Sequence, residues 1–189
     1  ISKLNGEKIV KNNFDRAIIL KPSIVYSVDD NFTTNFMTLL NRLPIMPIYY
    51  EGKTKFVPIH VSDLVQIIYD AVEGKINKQT IECIGPEILS FKEIILKLLK
   101  SINKKRPLIP LPLVLAKFSA KIFELMPNPL ITEDQINLLK YDNIPSGKYN
   151  TNFDLGIKAN RIFEKEIEKY SFNWRDGGQY SKNNFIKNQ

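Results

Sequence analysis

Histidine and cysteine, the side chains behind much metal and nucleophilic chemistry, occur once each in the 189 residues, as His60 and Cys83. One imidazole and one thiol cannot enclose a zinc ion. A single cysteine has no internal disulfide partner, which points to a reducing compartment. Cys83 stands in an apolar run and reads as an inert core thiol. His60 ends a strand-like pattern and reads as structural, and Asp63 reads as a first-turn acid favoured by the helix dipole. Lys53 and Lys55 flank a turn, where they either meet a phosphate or remain solvated. Lys3 alone reads as a solvated helix lysine. In Pro22-Ser23-Ile24-Val25, the proline ends a strand and leaves neighbouring backbone groups free for a ligand or simply for a loop. The eight glycines form no GxGxxG, so no glycine-rich phosphate turn is present.

These residues need elements to carry them. The chain starts at Ile1 inside an uncapped helical pattern over 1–11, without the apolar core of a signal peptide. We read it as a chain cut from a longer protein. A strand follows over 16–20, then an extended segment from Pro22 to Tyr26. Apolar Phe32, Phe36, Leu39, Leu40 and Leu43 have amphipathic-helix spacing, stopped by Pro44 and Pro47. Glu51-Gly52-Lys53 predicts a turn and 55–60 a strand. A helix starts at Ser62 and Asp63 and runs to Val72, with Leu64, Ile67, Ile68, Ala71 and Val72 on one face. A short strand over 80–84 is followed by a capping box, Ser90 with Glu93, opening a helix to Lys100. Further helices are expected over 113–126 and from Thr132. Beyond Tyr141 the chain is polar, with Phe172 and Trp174 as its candidate anchors. About three strands alternating with helices predict an α/β fold with a mostly parallel sheet, fewer than the about 5–6 usual in a full sheet.

The net charge is +7, and 43% hydrophobic against 25% charged residues is globular composition. That excludes a disordered tail and a collagen-like fibre. Between Glu93 and Glu124 no acid occurs, while Lys97, Lys100, Lys104, Lys105, Arg106, Lys117 and Lys121 supply seven positive charges. Residues 107–116 are uncharged, but a bilayer span needs about 20 apolar residues. The stretch is either a solvated basic edge beside a core helix or a contact with an anionic membrane surface or acidic partner. Its cations are not interleaved with aromatics on a recognisable motif, which argues against nucleic acid.

Three motifs in order carry a resemblance: Ser2-Lys3 with Gly6-Glu7, Lys21-Pro22-Ser23-Ile24-Val25-Tyr26, and Phe56-Val57-Pro58-Ile59-His60-Val61-Ser62-Asp63-Leu64. They resemble the C-terminal half of extended short-chain dehydrogenases. Within that superfamily, Arg106-Pro107-Leu108-Ile109-Pro110-Leu111-Pro112, Phe123-Glu124, Ile131-Thr132-Glu133-Asp134 and Asp154-Leu155-Gly156-Ile157 resemble one branch. That branch is the nucleotide-binding accessory subunit of respiratory complex I, with its alphaproteobacterial relatives. The resemblance covers about residues 1–175.

It implies an α/β chain: the C-terminal half of a Rossmann-type fold with a small, mostly helical substrate or lid region. Residues 1–85 would be the Rossmann remainder with a lid segment at about 28–55, residues 86–175 a substrate or docking region, and 176–189 a polar tail. Lys3 would be the lysine of the family's Tyr-xxx-Lys motif, which lowers the tyrosine pKa and holds the nicotinamide ribose. The tyrosine, four residues earlier, is absent from this chain. Pro22, Ser23, Ile24 and Val25 would meet the nicotinamide end of NADPH or NADH, although Ser27 stands where many members have glycine. The phosphate turn lies upstream in the family, so this piece alone is not expected to bind a dinucleotide. The implied function is an accessory or assembly subunit of complex I with little or no catalysis of its own. It would contact peripheral-arm subunits at the cytoplasmic face of the bacterial inner membrane, or lie in the cytoplasm. The alternative is a free NAD(P)-dependent epimerase, dehydratase or reductase on a sugar nucleotide or quinone precursor. A blander reading is a scaffold that has lost the cofactor.

Overall fold

The computed structural model describes residues 2–77, 79–111 and 137–180. In chain order the elements are α1 (Ser2–Asn13), β1 (Ile19–Pro22), β2 (Val25–Tyr26), α2 (Thr33–Arg42), β3 (Met46–Ile48), a 3-10 turn (Tyr49–Gly52), β4 (Lys55–Phe56), β5 (Ile59–His60), α3 (Val61–Val72), β6 (Thr80–Cys83), β7 (Leu89–Ser90), α4 (Phe91–Ser101), β8 (Leu108–Pro110), β9 (Asn150–Thr151), α5 (Phe163–Glu168) and short 3-10 turns at Ser171–Trp174 and Gly178–Tyr180. The helices expected over 113–126 and from Thr132 fall outside the described residues.

Apolar, β-branched Ile18, Ile19 and Ile81 favour extended chain, and β1 pairs in parallel with β6, Ile19 opposite Thr80 and Pro22 opposite Cys83. β9 adds to β6 in parallel, giving the order β1-β6-β9. The strand was expected to end near Leu20. It runs to Pro22, because β1 borders this sheet and a missing N–H on an edge breaks no ladder. Two-strand ladders join β2 to β5 and β3 to β8 in parallel, and β4 to β7 antiparallel. The expected strand over 55–60 is therefore two strands, split at Val57-Pro58, that serve different partners. Residues 108–110 of the uncharged run are strand β8.

Two cores result. Ile59, Ile67, Ile81, Cys83 and Ala159 form one, between α3 and the three-stranded sheet, with Leu64, Ala71, Leu155 and Ile157 packed against it. The larger one gathers Tyr26, Phe36, Leu40, Phe91, Leu98 and Phe163 between α2, α4 and α5. Residues 150–159 thus return to the first core from within the 86–175 region.

Local chemistry sets the helix ends. Ser90 and Glu93 form the expected capping box, with the Glu93 amide donating to Ser90 Oγ at 3.2 Å and the Ser90 amide to Glu93 Oε2 at 2.7 Å. α3 starts earlier than expected: the Ser62 amide donates to His60 Nδ1 at 3.2 Å, so the imidazole supplies the cap. On α3 the buried stripe is Leu64, Ile67 and Ala71. Ile68 and Val72, expected on that face, point outward, Val72 being 80% exposed. The segment after Tyr141 is better anchored than its polarity suggests: Phe163, Ile167 and Tyr170 are buried, and Trp174 Nε1 donates to Thr38 Oγ1 at 2.9 Å.

Candidate functional site

In open α/β sheets, ligands gather beyond the carboxyl ends of the strands. At the carboxyl end of β1 the chain passes through Ser23, only 8% exposed. Its amide donates to the Cys83 carbonyl at 3.1 Å. Its Oγ accepts from the Val57 amide at 3.1 Å and donates to the Asn143 carbonyl, also at 3.1 Å. Three distant segments meet on this one hydroxyl. Ile24 follows, its carbonyl accepting from the Ile59 amide at 2.9 Å, and Val25 enters the ladder opposite Ile59.

Ile24 also lines a cavity of about 470 Å³, bounded by the start of α2, by Phe56 of β4 and by residues 138–143. Each wall is tied down. The Asp30 carboxylate accepts from the Thr33 hydroxyl, and that oxygen lies 3.0 Å from the Tyr170 hydroxyl. Together they fix Asn31 and Phe32 at the opening of α2. On the other side the Thr54 hydroxyl donates to the Leu139 carbonyl. The Lys55 amide donates to Asp142 Oδ1 at 2.8 Å, and the Asn143 amide to the Lys55 carbonyl at 2.8 Å.

Of the residues singled out in the sequence, Pro22 to Val25 meet at this edge and Ile24 enters the cavity. Lys3 does not: it is exposed on α1 and is not among the cavity's described lining residues. Glu7, one turn on, pairs with Lys11 at 2.7 Å and with Lys21 at 3.0 Å, and these lysines pull its carboxyl below the usual range. Lys53 pairs with Glu51 on the surface at 2.5 Å. Cys83 is buried, which pushes its thiol up to about 11 and leaves it unreactive at neutral pH.

Asp63 belongs to a second polar cluster, accepting from the Arg161 amide at 3.2 Å and from its guanidinium at 3.3 Å. Beside it Tyr26 donates to the Arg161 carbonyl at 3.2 Å, and its ring meets His60 edge-on with centroids 5.2 Å apart. Burial raises the Tyr26 pKa and lowers that of His60, against the opposing pull of Glu166 3.9 Å away. These groups brace α3 against α5. Among the described residues no cluster of three or more His, Cys, Asp or Glu could hold a metal ion.

The sequence reading missed Asn31, Asn35, Tyr141, Asp142 and Asn143. The two asparagines were overlooked beside the apolar spacing of α2, and the other three sit in a segment read only as polar. A one-turn spacing of amides beside an aromatic pair was the available signal. The same residues test the implied cofactor. Ser23 N and Ile24 O are already bonded within the protein, so the segment offers a ligand chiefly the apolar side of Ile24. No glycine turn and no cation lines the cavity among the described residues. Among the described residues the cavity offers apolar walls and two side-chain amides but no pyrophosphate cradle.

Known proteins share this geometry and sequence. The chain is 25% identical over 188 residues to a mitochondrial NADH dehydrogenase [ubiquinone] 1 alpha subcomplex subunit 9 from Arabidopsis thaliana, covering 94% of this chain and 46% of that protein. The Mus musculus subunit of the same name is 26% identical over 170 residues, 88% of this chain and 45% of that one. No family model matches the chain. A dTDP-4-dehydrorhamnose reductase from Bacillus anthracis, solved with NADP, superposes with a TM-score of 0.61 at 18% identity over 91% of this chain and 53% of its own. A UDP-glucose 4-epimerase from Thermus thermophilus, solved with NAD, gives 0.58 at 12% over 90% and 50%. The fold is that of the extended short-chain dehydrogenases. The chain spans about half the length of the curated relatives it matches, and those relatives are complex I subunits, as the late motifs implied.

Proposed function

We propose that this chain is part of a nicotinamide-nucleotide-binding accessory subunit of the complex I type. The observation that carries the reading is the match to complex I subunits along nearly the whole chain, on a fold whose solved neighbours hold NAD or NADP. Pro22 to Val25 would face the ring end of the nucleotide, and Lys3 its ribose. The phosphates require residues other than the described ones. The nucleotide then stabilises the fold, and little or no turnover is expected.

Peripheral-arm subunits are the proposed partners, at the cytoplasmic face of the membrane that bears them. Among the described residues no helix is long and apolar enough to cross a membrane. Part of the basic stretch is neutralised within the fold: Lys97 and Lys100 pair with Glu164 at 2.8 and 2.5 Å, and Lys104 with Asp176 at 2.7 Å. Contact with an anionic surface would fall to Lys105, Arg106, whose guanidinium among the described residues meets only backbone carbonyls, Lys117 and Lys121, the last two outside the described residues.

The test is to tag the protein as its gene encodes it, extract native membranes in mild detergent and resolve the complexes on a native gel. Co-migration with NADH dehydrogenase activity supports the reading. Migration only as a free protein that turns over a sugar nucleotide refutes it.

A further inference from the structure

We infer that the cavity beside Ile24 binds an uncharged, largely apolar ring compound bearing a carbonyl or hydroxyl, and not the anionic nucleotide sugars that its fold neighbours hold. The inference deepens the reading above, since it concerns the same site. At about 470 Å³ the cavity has the size of a small-molecule pocket. Its apolar walls include Ile24, Phe32, Phe36, Phe56, Leu139 and Tyr141, so a ligand meets both aliphatic and aromatic surface. Phe32 and Phe36 are themselves stacked edge-to-face with centroids 5.0 Å apart, and their relative orientation gives a flat ring a preferred plane.

The polar groups decide the ligand's charge. Asn31 and Asn35 reach the cavity from the start of α2, and neither side-chain amide makes a hydrogen bond among the described residues. An amide both donates and accepts, which suits a carbonyl or hydroxyl on an otherwise apolar body. Asp142 adds a carboxylate at the rim. No lysine or arginine lines the cavity among the described residues. Lys55 contributes only backbone groups to this wall, and Lys140, the neighbouring cation, lies over the Tyr141 ring, 5.7 Å from its centroid. A diphosphate is a polyanion that proteins hold with guanidinium forks, lysines or helix N-termini. Here it would face the Asp142 carboxylate and a helix start whose Thr33 amide is already taken by the Asp30 carboxylate, with no lysine or arginine among the described lining residues.

The test uses the protein as encoded, dialysed to equilibrium against menadione, an uncharged quinone, and in parallel against UDP-glucose. Asn35→Phe fills the cavity from a half-exposed position without removing any described side-chain hydrogen bond, and its circular dichroism and melting report folding. Should it fail to fold, Asn31→Phe, at an exposed position before α2, takes its place. The expected result is menadione retention that falls at least about tenfold in the variant, with no UDP-glucose retained. UDP-glucose retention abolished by the variant overturns the inference. So does menadione retention equal in both proteins, or absent from both. Nucleotide content measured on the same samples separates the two claims, because protein that retains menadione but no nicotinamide nucleotide counts against the function proposed above and leaves this inference standing.

Discussion

Ser23→Ala removes a hydroxyl that the sequence reading assigned to cofactor contact and the structure assigns to holding three segments together. Val57, 3% exposed, loses the acceptor of its amide and has no water to replace it. The Asn143 carbonyl, on an exposed residue, recovers a hydrogen bond from solvent. The lost bond contributes about 1 kcal/mol, and a stranded buried donor costs about 1–3 kcal/mol. The expected destabilisation is therefore about 2–4 kcal/mol, dominated by Val57. With a urea slope of about 2 kcal/mol/M, the unfolding midpoint falls by about 1–2 M at unchanged slope. Urea titration followed by tryptophan fluorescence, with Trp174 as the single reporter, measures it. A loss below about 0.5 kcal/mol would show that the hydroxyl does not join these segments.

Gly85→Ala places a Cβ 1.8 Å from the Pro58 carbonyl oxygen, so backbone must move, and a loss above about 2 kcal/mol is expected. Gly74→Ala, at φ +73° with nothing within 4 Å, should cost only about 1 kcal/mol, and equal losses in thermal melts would contradict the crowding at Gly85. Burial lowers the His60 pKa below its ordinary 6.5, so the unfolded chain binds the proton more readily. Stability should then be full above about pH 6.5 and decline as pH falls towards the folded-state value. His60→Asn, which keeps a cap acceptor, should flatten that slope in pH-dependent melts, and an unchanged slope would assign it elsewhere. Glu164→Gln should loosen α4 from α5 modestly, because Glu164 and Lys97 are half-buried while Lys100 is exposed. The difference from wild type should shrink near 1 M salt, where the Debye length is about 3 Å, and a salt-independent difference would exclude an ionic origin.

What could be read from the sequence was local. The strands β1 and β6 followed from apolar, β-branched runs and their parallel sense from strand–helix alternation, α2 from its apolar spacing, and the start of α4 from the Ser90–Glu93 capping box. Motif order pointed to the fold, and the late motifs pointed to the complex I subunits that the chain is similar to. Contacts between distant residues stayed hidden. Nothing in Ser23 announces Val57 and Asn143 as its partners, and no periodicity tells which apolar side of α3 is covered. His60 was read as structural, but its capping role depends on a ring nitrogen reaching the Ser62 amide, a matter of backbone geometry. The cavity was missed for the same reason: Asn31, Asn35 and Asp142 come together only when residues 138–143 are pinned to β4. Lys97 and Lys100 looked like free charge because Glu164, their partner, lies more than sixty residues away.

The most direct test of the central claim is the nucleotide content of the protein as its gene encodes it, taken from its native complex. Denaturing the washed complex and separating the released small molecules by chromatography should yield a stoichiometric nicotinamide dinucleotide that survives extended incubation without turnover. A protein that releases no dinucleotide, or that consumes it while converting a sugar nucleotide, would contradict the account.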